Sequence, residues 1–375
     1  MGIKKYADVI INNPVASLWV LFHRARRLIF LDYYLGGYSF FPDFITILIT
    51  KRCNFNCGRC ASKSQMVTQE TFDELSTPEL KRFIDQVSWI KPFVYFSGGE
   101  PLLRKDIFEL ISYIKRKDML TGLVSNGSSL DEESVNKILD SRLDFFSVSI
   151  DGARVYHDQA RGVEGAFDKA VHGLKLLVEA RKKRKATFPH IRIASIIDPQ
   201  NLDNSISMVH LANELEVDEL AFGNLMFYPP SIKKEQKEFG TEAGLDLNFI
   251  NGIEIDANTR FNIDKEKLAE FLKAARQSKR VPVCFVPENT DFDNYYSFKH
   301  PSSRSRCFKP WFSLTVLPDG SLTPCQGLIL GNIKEGKFLQ CWNSAPIKRF
   351  RTLRKRLQPP ACFRCGEGQT IKFDS

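Results

Sequence analysis

Between residues 44 and 224 the chain switches repeatedly between two hydrophobic rhythms. Short β-branched or aromatic runs, FITILI (44–49), FVYF (93–96), TGLVS (121–125), FFSVSI (145–150), IRIASII (191–197) and ELAFG (219–223), have the length and composition of strands. Most are followed by a segment whose apolar residues lie three or four apart, the spacing of one helical face. The first helix has the clearest start: Ser76 as N-cap, Pro78 at an early position and Glu79 to close a capping box, with Leu80, Phe83, Ile84 and Val87 on one side. Further helices are predicted near 105–115, 132–139, 165–180 and 204–215. Alternating βα units build a parallel sheet, so the expected class is α/β, a partial (β/α)6 barrel of the TIM type.

The rhythm changes after ELAFG. Stretches 229–244 and 287–305 are rich in Pro, Lys, Asp and Ser and lack clean periodicity, as befits a linker and loops over a barrel mouth. From Cys307 onward, Leu314 to Leu317, the turn Pro318-Asp319-Gly320 and Ser321 to Thr323 predict a hairpin. An amphipathic helix carrying Ile347, Phe350, Leu353 and Leu357 follows. Four units result: an N-terminal amphipathic segment (1–40), the barrel (41–228), a linker and barrel-capping segment (229–305) and a small C-terminal domain (306–375). No internal repeat appears beyond the βα alternation.

Composition narrows the class. With 375 residues, 43% of them apolar and 26% charged, collagen-like, low-complexity and wholly disordered readings are excluded. The net charge of +9 is clustered at Arg24, Arg26 and Arg27, at 181–185 (RKKRK) and at 348–356 (KRFRTLRKR). Such clusters attract anionic partners, yet they also serve as ordinary solvated faces, and nucleic acid is the disfavoured partner. No run reaches the roughly 18 apolar residues that a spanning helix requires. The uncharged run 9–22 is broken by Asn12, Asn13 and Pro14 and lacks a signal-peptidase site, and Tyr6 stands where a myristoylation signal takes Ser or Thr. A cytoplasmic location is expected. Val15, Leu18, Trp19, Phe22 and Ile29, with arginines among them, suit either an interfacial helix on an anionic membrane or a helix packed on the barrel.

The nine cysteines are an odd number in a chain large enough to fold without staples, and seven of them group, which points to metal ligation instead of disulfides. Cys284 and Cys341 stand apart and read as buried small hydrophobes. Cys53, Cys57 and Cys60 put three thiols into eight residues directly after the first strand. A structural zinc site closes with four N/S ligands, and no further Cys or His lies between Cys60 and Glu100; an iron-sulfur cluster with one open iron fits three thiolates better. Cys307, Cys325, Cys362 and Cys365 supply four thiolates, a closed site that suits a second cluster, with a zinc ribbon as the alternative.

The C-x3-C-x2-C spacing after a first strand resembles the radical SAM superfamily. Gly98-Gly99-Glu100-Pro101 after FVYF resembles its glycine-rich loop at the methionine end of S-adenosylmethionine (SAM), and 147–167 (SVSIDGARVYHDQARGVEGAF) resembles a block of those members that carry auxiliary clusters. The tail from Cys307 is similar to the SPASM/twitch domain, and four cysteines favour its shorter, one-cluster form. The resemblance implies two 4Fe-4S clusters and SAM as cofactors, with Asn126 and Gly98 to Pro101 near SAM, Ser149 and Asp151 near its ribose, and Arg161 at its carboxylate. It also implies a reductant protein such as flavodoxin or ferredoxin. One departure is Arg59, in the place where the family usually has an aromatic residue near adenine; either Phe55 or the backbone takes over, or the guanidinium plane stacks instead.

The resemblance further implies reductive cleavage of SAM to a 5'-deoxyadenosyl radical that abstracts hydrogen. A small or lipid-like substrate is the leading expectation for this oxidoreductase or carbon-bond-forming enzyme, and peptide maturation is the alternative. A non-catalytic, metal-stabilised RNA-binding protein is the reading from outside enzymology; it leaves the Gly-Gly-Glu-Pro loop and the three-thiol site without a purpose.

Overall fold

The computed structural model describes residues 14–28, 35–61, 73–198, 202–249, 252–256, 263–287, 292–296, 307–325, 327–336, 338–363 and 365. Expectations resting on residues 1–13, 288–291 and 297–306 lie outside the described residues.

All six expected strands form: β1 (Phe44–Leu48), β2 (Phe93–Ser97), β3 (Thr121–Ser125), β4 (Phe145–Ser149), β5 (His190–Ile197) and β6 (Glu219–Asn224). The helices are α1 (Pro14–Leu28), α2 (Thr77–Val87), α3 (Ile107–Lys115), α4 (Glu132–Asp140), α5 (Arg154–Arg161), α6 (Ala166–Lys183) and α7 (Leu202–Leu215). Helix α2 starts with the expected capping box, Glu79 accepting from the Ser76 backbone N–H at 2.8 Å. Its Leu80, Phe83, Ile84 and Val87 are buried, as the spacing predicts.

The sheet is wider than six strands. Strands β7 (Val283–Val286) and β8 (Ser313–Val316) join in parallel at its two edges, beside β6 and β1. Two antiparallel strands, β9 (Ser321–Thr323) and β10 (Gly331–Asn332), follow. The order is β7-β6-β5-β4-β3-β2-β1-β8-β9-β10, and because β7 and β8 do not pair, the barrel of parallel strands stays partial. Segment 229–305 is therefore more than the expected linker and cap. It contains α8 (Ile232–Ala243), which buries Ile232, Gln236 and Gly240, and α9 (Lys265–Gln277), which buries Phe271 and Ala275. Periodicity missed α8 because only these few positions face the protein while Lys and Glu fill the rest. The C-terminal helix α10 (Ala345–Arg354) buries Ile347 and Phe350.

Strand alternation separates two faces. Ile45, Ile47, Val94, Phe96, Leu123, Phe146, Ile191, Ile193, Leu220 and Phe222 belong to the main core under the helices. The other face mixes aromatic rings with polar groups: Phe93 meets Phe44 at 5.2 Å and Phe145 at 5.4 Å between ring centroids. Gly122 on β3 leaves room for the Tyr95 ring, since a Cβ there would lie 2.7 Å from it. Tyr95 thereby reaches Ser147 on β4, and Glu219, only 1% exposed, pairs with Arg192 at 2.8 Å and accepts from the Cys284 thiol at 2.9 Å. Cys284 and Cys341 are half-buried; they are not the fully enclosed hydrophobes expected from their neighbours.

Helix α1 packs on the barrel. His23 donates to the carbonyl of Ile90 at 3.0 Å, and Arg26 donates to that of Phe41 at 2.7 Å while lying against the rings of Phe41 and Phe312. Leu18, Leu21 and Phe22 remain exposed along its outer side. Among the described residues no helix is long and apolar enough to cross a membrane. The tail is tied back through Arg351, whose buried guanidinium donates to the carbonyls of Pro310 (2.9 Å) and Gly37 (3.1 Å).

Candidate functional site

The three-thiol loop leaves the end of β1 and is zipped to the glycine-rich loop after β2. Gly99 N–H donates to Thr50 O and Glu100 N–H to Arg52 O, each at 2.8 Å. This explains the glycines: a Cβ on Gly98 (φ +124°) would lie 2.7 Å from Thr50 O, and one on Gly99 would lie 1.9 Å from Arg52 O. The protein's own backbone, before any ligand, demands them. Pro101 is buried at the start of the following turn. Glu100 is 1% exposed and accepts from Leu102 N (3.0 Å), Ser125 Oγ (2.8 Å) and Asn126 N (2.7 Å). It thus ties the loops after β2 and β3, and Asn126 in turn donates to the Asn54 side chain at 2.9 Å. Burial raises the Glu100 carboxyl above its usual range, against the pull of these donors.

Cys53, Cys57 and Cys60 are each half-buried. Burial pushes the Cys53 thiol up, and the proximity of Cys57, Glu100 and Cys60 adds to this. Crowded thiols of this kind become thiolates when a metal centre compensates their charge, which fits an iron-sulfur group. Arg161 closes the site from α5. Its NH1 lies 3.9 Å from Cys57 Sγ and its NH2 2.7 Å from Asp151 Oδ2. Burial works against this guanidinium, and Asp151 together with Cys57 restores its charge. Asp151 is further fixed through its Oδ1, which accepts from Ile196 N at 3.1 Å; its own N–H donates to Nδ1 of His157. Ser149, at the end of β4, is half-buried beside them.

Sequence reasoning had passed over His157. It is fully buried, and burial, with Arg161 nearby, lowers its pKa to about 4, so it stays neutral and holds Asp151 in place. Arg59 lies with its guanidinium over the Tyr156 ring, 5.7 Å from the centroid. It pairs with Asp198 and Tyr156, and Asp198, just past the end of β5, is 1% exposed. The head group is spent on pinning the cysteine loop to the barrel rim. Only the oddity of an arginine at that position could have signalled this, since Asp198 lies 139 residues away.

The second thiol group is gathered from three places. Cys307 precedes β8, Cys325 follows β9, and Cys362 and Cys365 follow α10. Burial drives the Cys325 thiol well up and pushes Cys362 up to about 12, with the neighbouring thiols adding to both. Arg354 offsets part of this for each of them. Among the described residues no three His, Cys, Asp or Glu side chains close tightly enough to hold a single metal ion.

This architecture, thiols at the mouth of a partial parallel barrel and a cysteine-bearing tail joined to its sheet, is that of a radical SAM enzyme. The chain belongs to that superfamily: residues 47–193 match the radical SAM superfamily, and residues 307–366 match an iron-sulfur cluster-binding domain, SPASM. SAM and iron-sulfur clusters are accordingly its cofactors. An AdoMet-dependent heme synthase of Methanosarcina barkeri is 29% identical over 84% of this chain and 85% of its own. A PqqA peptide cyclase of Rhodopseudomonas palustris is 24% identical over 86% and 79%. Among solved structures, SuiB of Streptococcus suis bound to S-adenosylmethionine shares the fold, with a TM-score of 0.59 at 16% identity over 88% of this chain and 73% of that one.

Proposed function

We propose that this protein matures a peptide by radical chemistry, with Cys53, Cys57 and Cys60 holding the SAM-cleaving cluster and Cys307, Cys325, Cys362 and Cys365 holding one auxiliary cluster. When bound, the first cluster and SAM supply a 5'-deoxyadenosyl radical that abstracts a hydrogen atom. The residues of the chain place and shield the reactants. In this reading the Gly98 to Pro101 edge and Asn126 meet the methionine end of SAM, Ser149 and Asp151 its ribose, and Arg161 its carboxylate, for which a guanidinium fork is suited.

The observation that carries the substrate class is the mixed polar and aromatic inner face of the sheet. Tyr95, Ser147, Arg192 and Glu219 offer hydrogen bonds and paired charge beside the rings of Phe44, Phe93 and Phe145, a mixture that suits a chain of polar backbone and varied side chains. The leading expectation from sequence, a small or lipid-like substrate, draws less support than its peptide alternative. The similarity to a peptide cyclase along most of both chains points the same way. A second reading, a tetrapyrrole substrate, is favoured by the higher identity to the heme synthase.

Anaerobic incubation of the reconstituted enzyme with SAM and dithionite separates the two. A precursor peptide encoded beside the gene should stimulate 5'-deoxyadenosine release and emerge with altered mass. Stimulation by iron coproporphyrin alone would replace the peptide reading with the tetrapyrrole one. Contact of Leu18, Leu21 and Phe22 with a membrane is a separate proposal, tested by co-sedimentation with anionic and neutral vesicles; equal absence from both pellets would end it.

A further inference from the structure

Helix α8 comes from the segment expected to be linker, yet it ends up against the second thiol group. Gln236 on this helix is completely buried. Its Oε1 accepts from the N–H of Ala361, next to Cys362, at 3.1 Å. Its Nε2 faces Gly327, two residues beyond Cys325, where a Cβ would lie only 2.5 Å away. That Nε2 has no hydrogen-bond partner among the described residues. A buried amide N–H left unpaired is costly, and here it sits between two segments that each carry a proposed cluster ligand.

Arg354 approaches from another side. It ends α10, is 8% exposed, donates to Leu357 O at 3.0 Å and bonds the Cys307 thiol. Among the described residues no carboxylate pairs with it. Its counterpart at the barrel mouth, Arg161, is matched by Asp151 at 2.7 Å. One site therefore has a neutralised arginine and the other an arginine whose charge is answered by thiols.

We propose that Gln236 and Arg354 are the donors that tune the auxiliary cluster: the amide N–H and the guanidinium hold charge on its sulfur ligands and raise its reduction potential. Donors and positive charge next to cluster sulfurs favour the reduced, more negative state. The inference rests on the reading of Cys307, Cys325, Cys362 and Cys365 as cluster ligands.

The test is a potentiometric titration of the anaerobically reconstituted full chain, followed by electron paramagnetic resonance. In Gln236→Met, which keeps the volume and removes the N–H, the oxidised-to-reduced ratio of the second cluster at the wild-type midpoint should rise about tenfold, equivalent to about 59 mV for one electron. Arg354→Gln should shift it further in the same direction, Arg354→Lys should restore most of it, and the mouth cluster should stay put in all three. If Arg354→Gln loses its second signal and half its iron, Gln236→Met decides alone. Unmoved second-cluster midpoints, or equal shifts in both clusters, overturn the donor assignment while leaving the two-cluster reading intact. Zinc or a single cluster in the wild type overturns that reading and the donor assignment with it.

Discussion

The two cysteine sites solve the same problem by opposite means. At the barrel mouth three thiols come from one eight-residue loop, stay half-exposed, and are held by backbone bonds to the next loop. In the tail four thiols, likewise half-buried as residues, arrive from three separated segments, and burial pushes those of Cys325 and Cys362 up. At the mouth a compensated Arg161–Asp151 pair stands beside the thiols. In the tail the arginine, Arg354, has the thiols themselves as counter-charge. One loop gathers three thiols by itself and needs only backbone bonds to the next loop to hold them, whereas thiols from separated segments meet only once the chain has folded around them.

The largest effect should come from the mouth. Replacing Cys53, Cys57 and Cys60 with Ala should abolish 5'-deoxyadenosine formation and remove about half the iron, measured by colorimetric assay after reconstitution. Surviving SAM cleavage would break the division of labour between the sites. Next comes Cys362→Ala with Cys365→Ala: SAM cleavage persists and completed product is lost, read in one anaerobic reaction with circular dichroism as folding control. Full product yield from the folded double variant would make the tail site dispensable.

A smaller effect is expected at Arg161. Arg161→Gln removes a charge-assisted contact and should weaken SAM binding by roughly 10- to 100-fold in equilibrium dialysis, with the tail cluster spectroscopically unchanged. An unchanged affinity would remove Arg161 from the SAM site. The smallest concerns pH. His157 has a folded pKa near 4, below its unfolded value, so the unfolded chain binds the extra proton between about 4 and 6.5. Its contribution to stability is then complete above about pH 6.5 and declines as pH falls toward 4, by on the order of 3 kcal/mol at most. Urea midpoints of the wild type should drop over that window more steeply than those of His157→Asn; parallel slopes would show that His157 is not the titrating group.

The amino-acid sequence by itself determined what depends on neighbours in the chain. Six strands, the α2 capping box and the three-thiol loop were all legible because strand and helix periodicity, cap chemistry and ligand spacing are local properties. The tertiary structure alone decided the rest. Strand β7 did not stand out in the sequence, and β8, legible as one arm of a hairpin with β9, gained a second, parallel partner in β1 that no local pattern announces; the edges of β6 and β1 offer the unpaired backbone groups that these two strands fill. Helix α8 showed too narrow an apolar side to be read, and the Gln236 amide gained its meaning only when Ala361 and Gly327 folded against it. Arg59 looked like a displaced aromatic until Asp198 and Tyr156 came to meet it. The physical reason is common to all of these: hydrogen bonds and ion pairs across a hundred residues are stable only after the core has paid the entropy of bringing them together, and no local pattern records where that will happen.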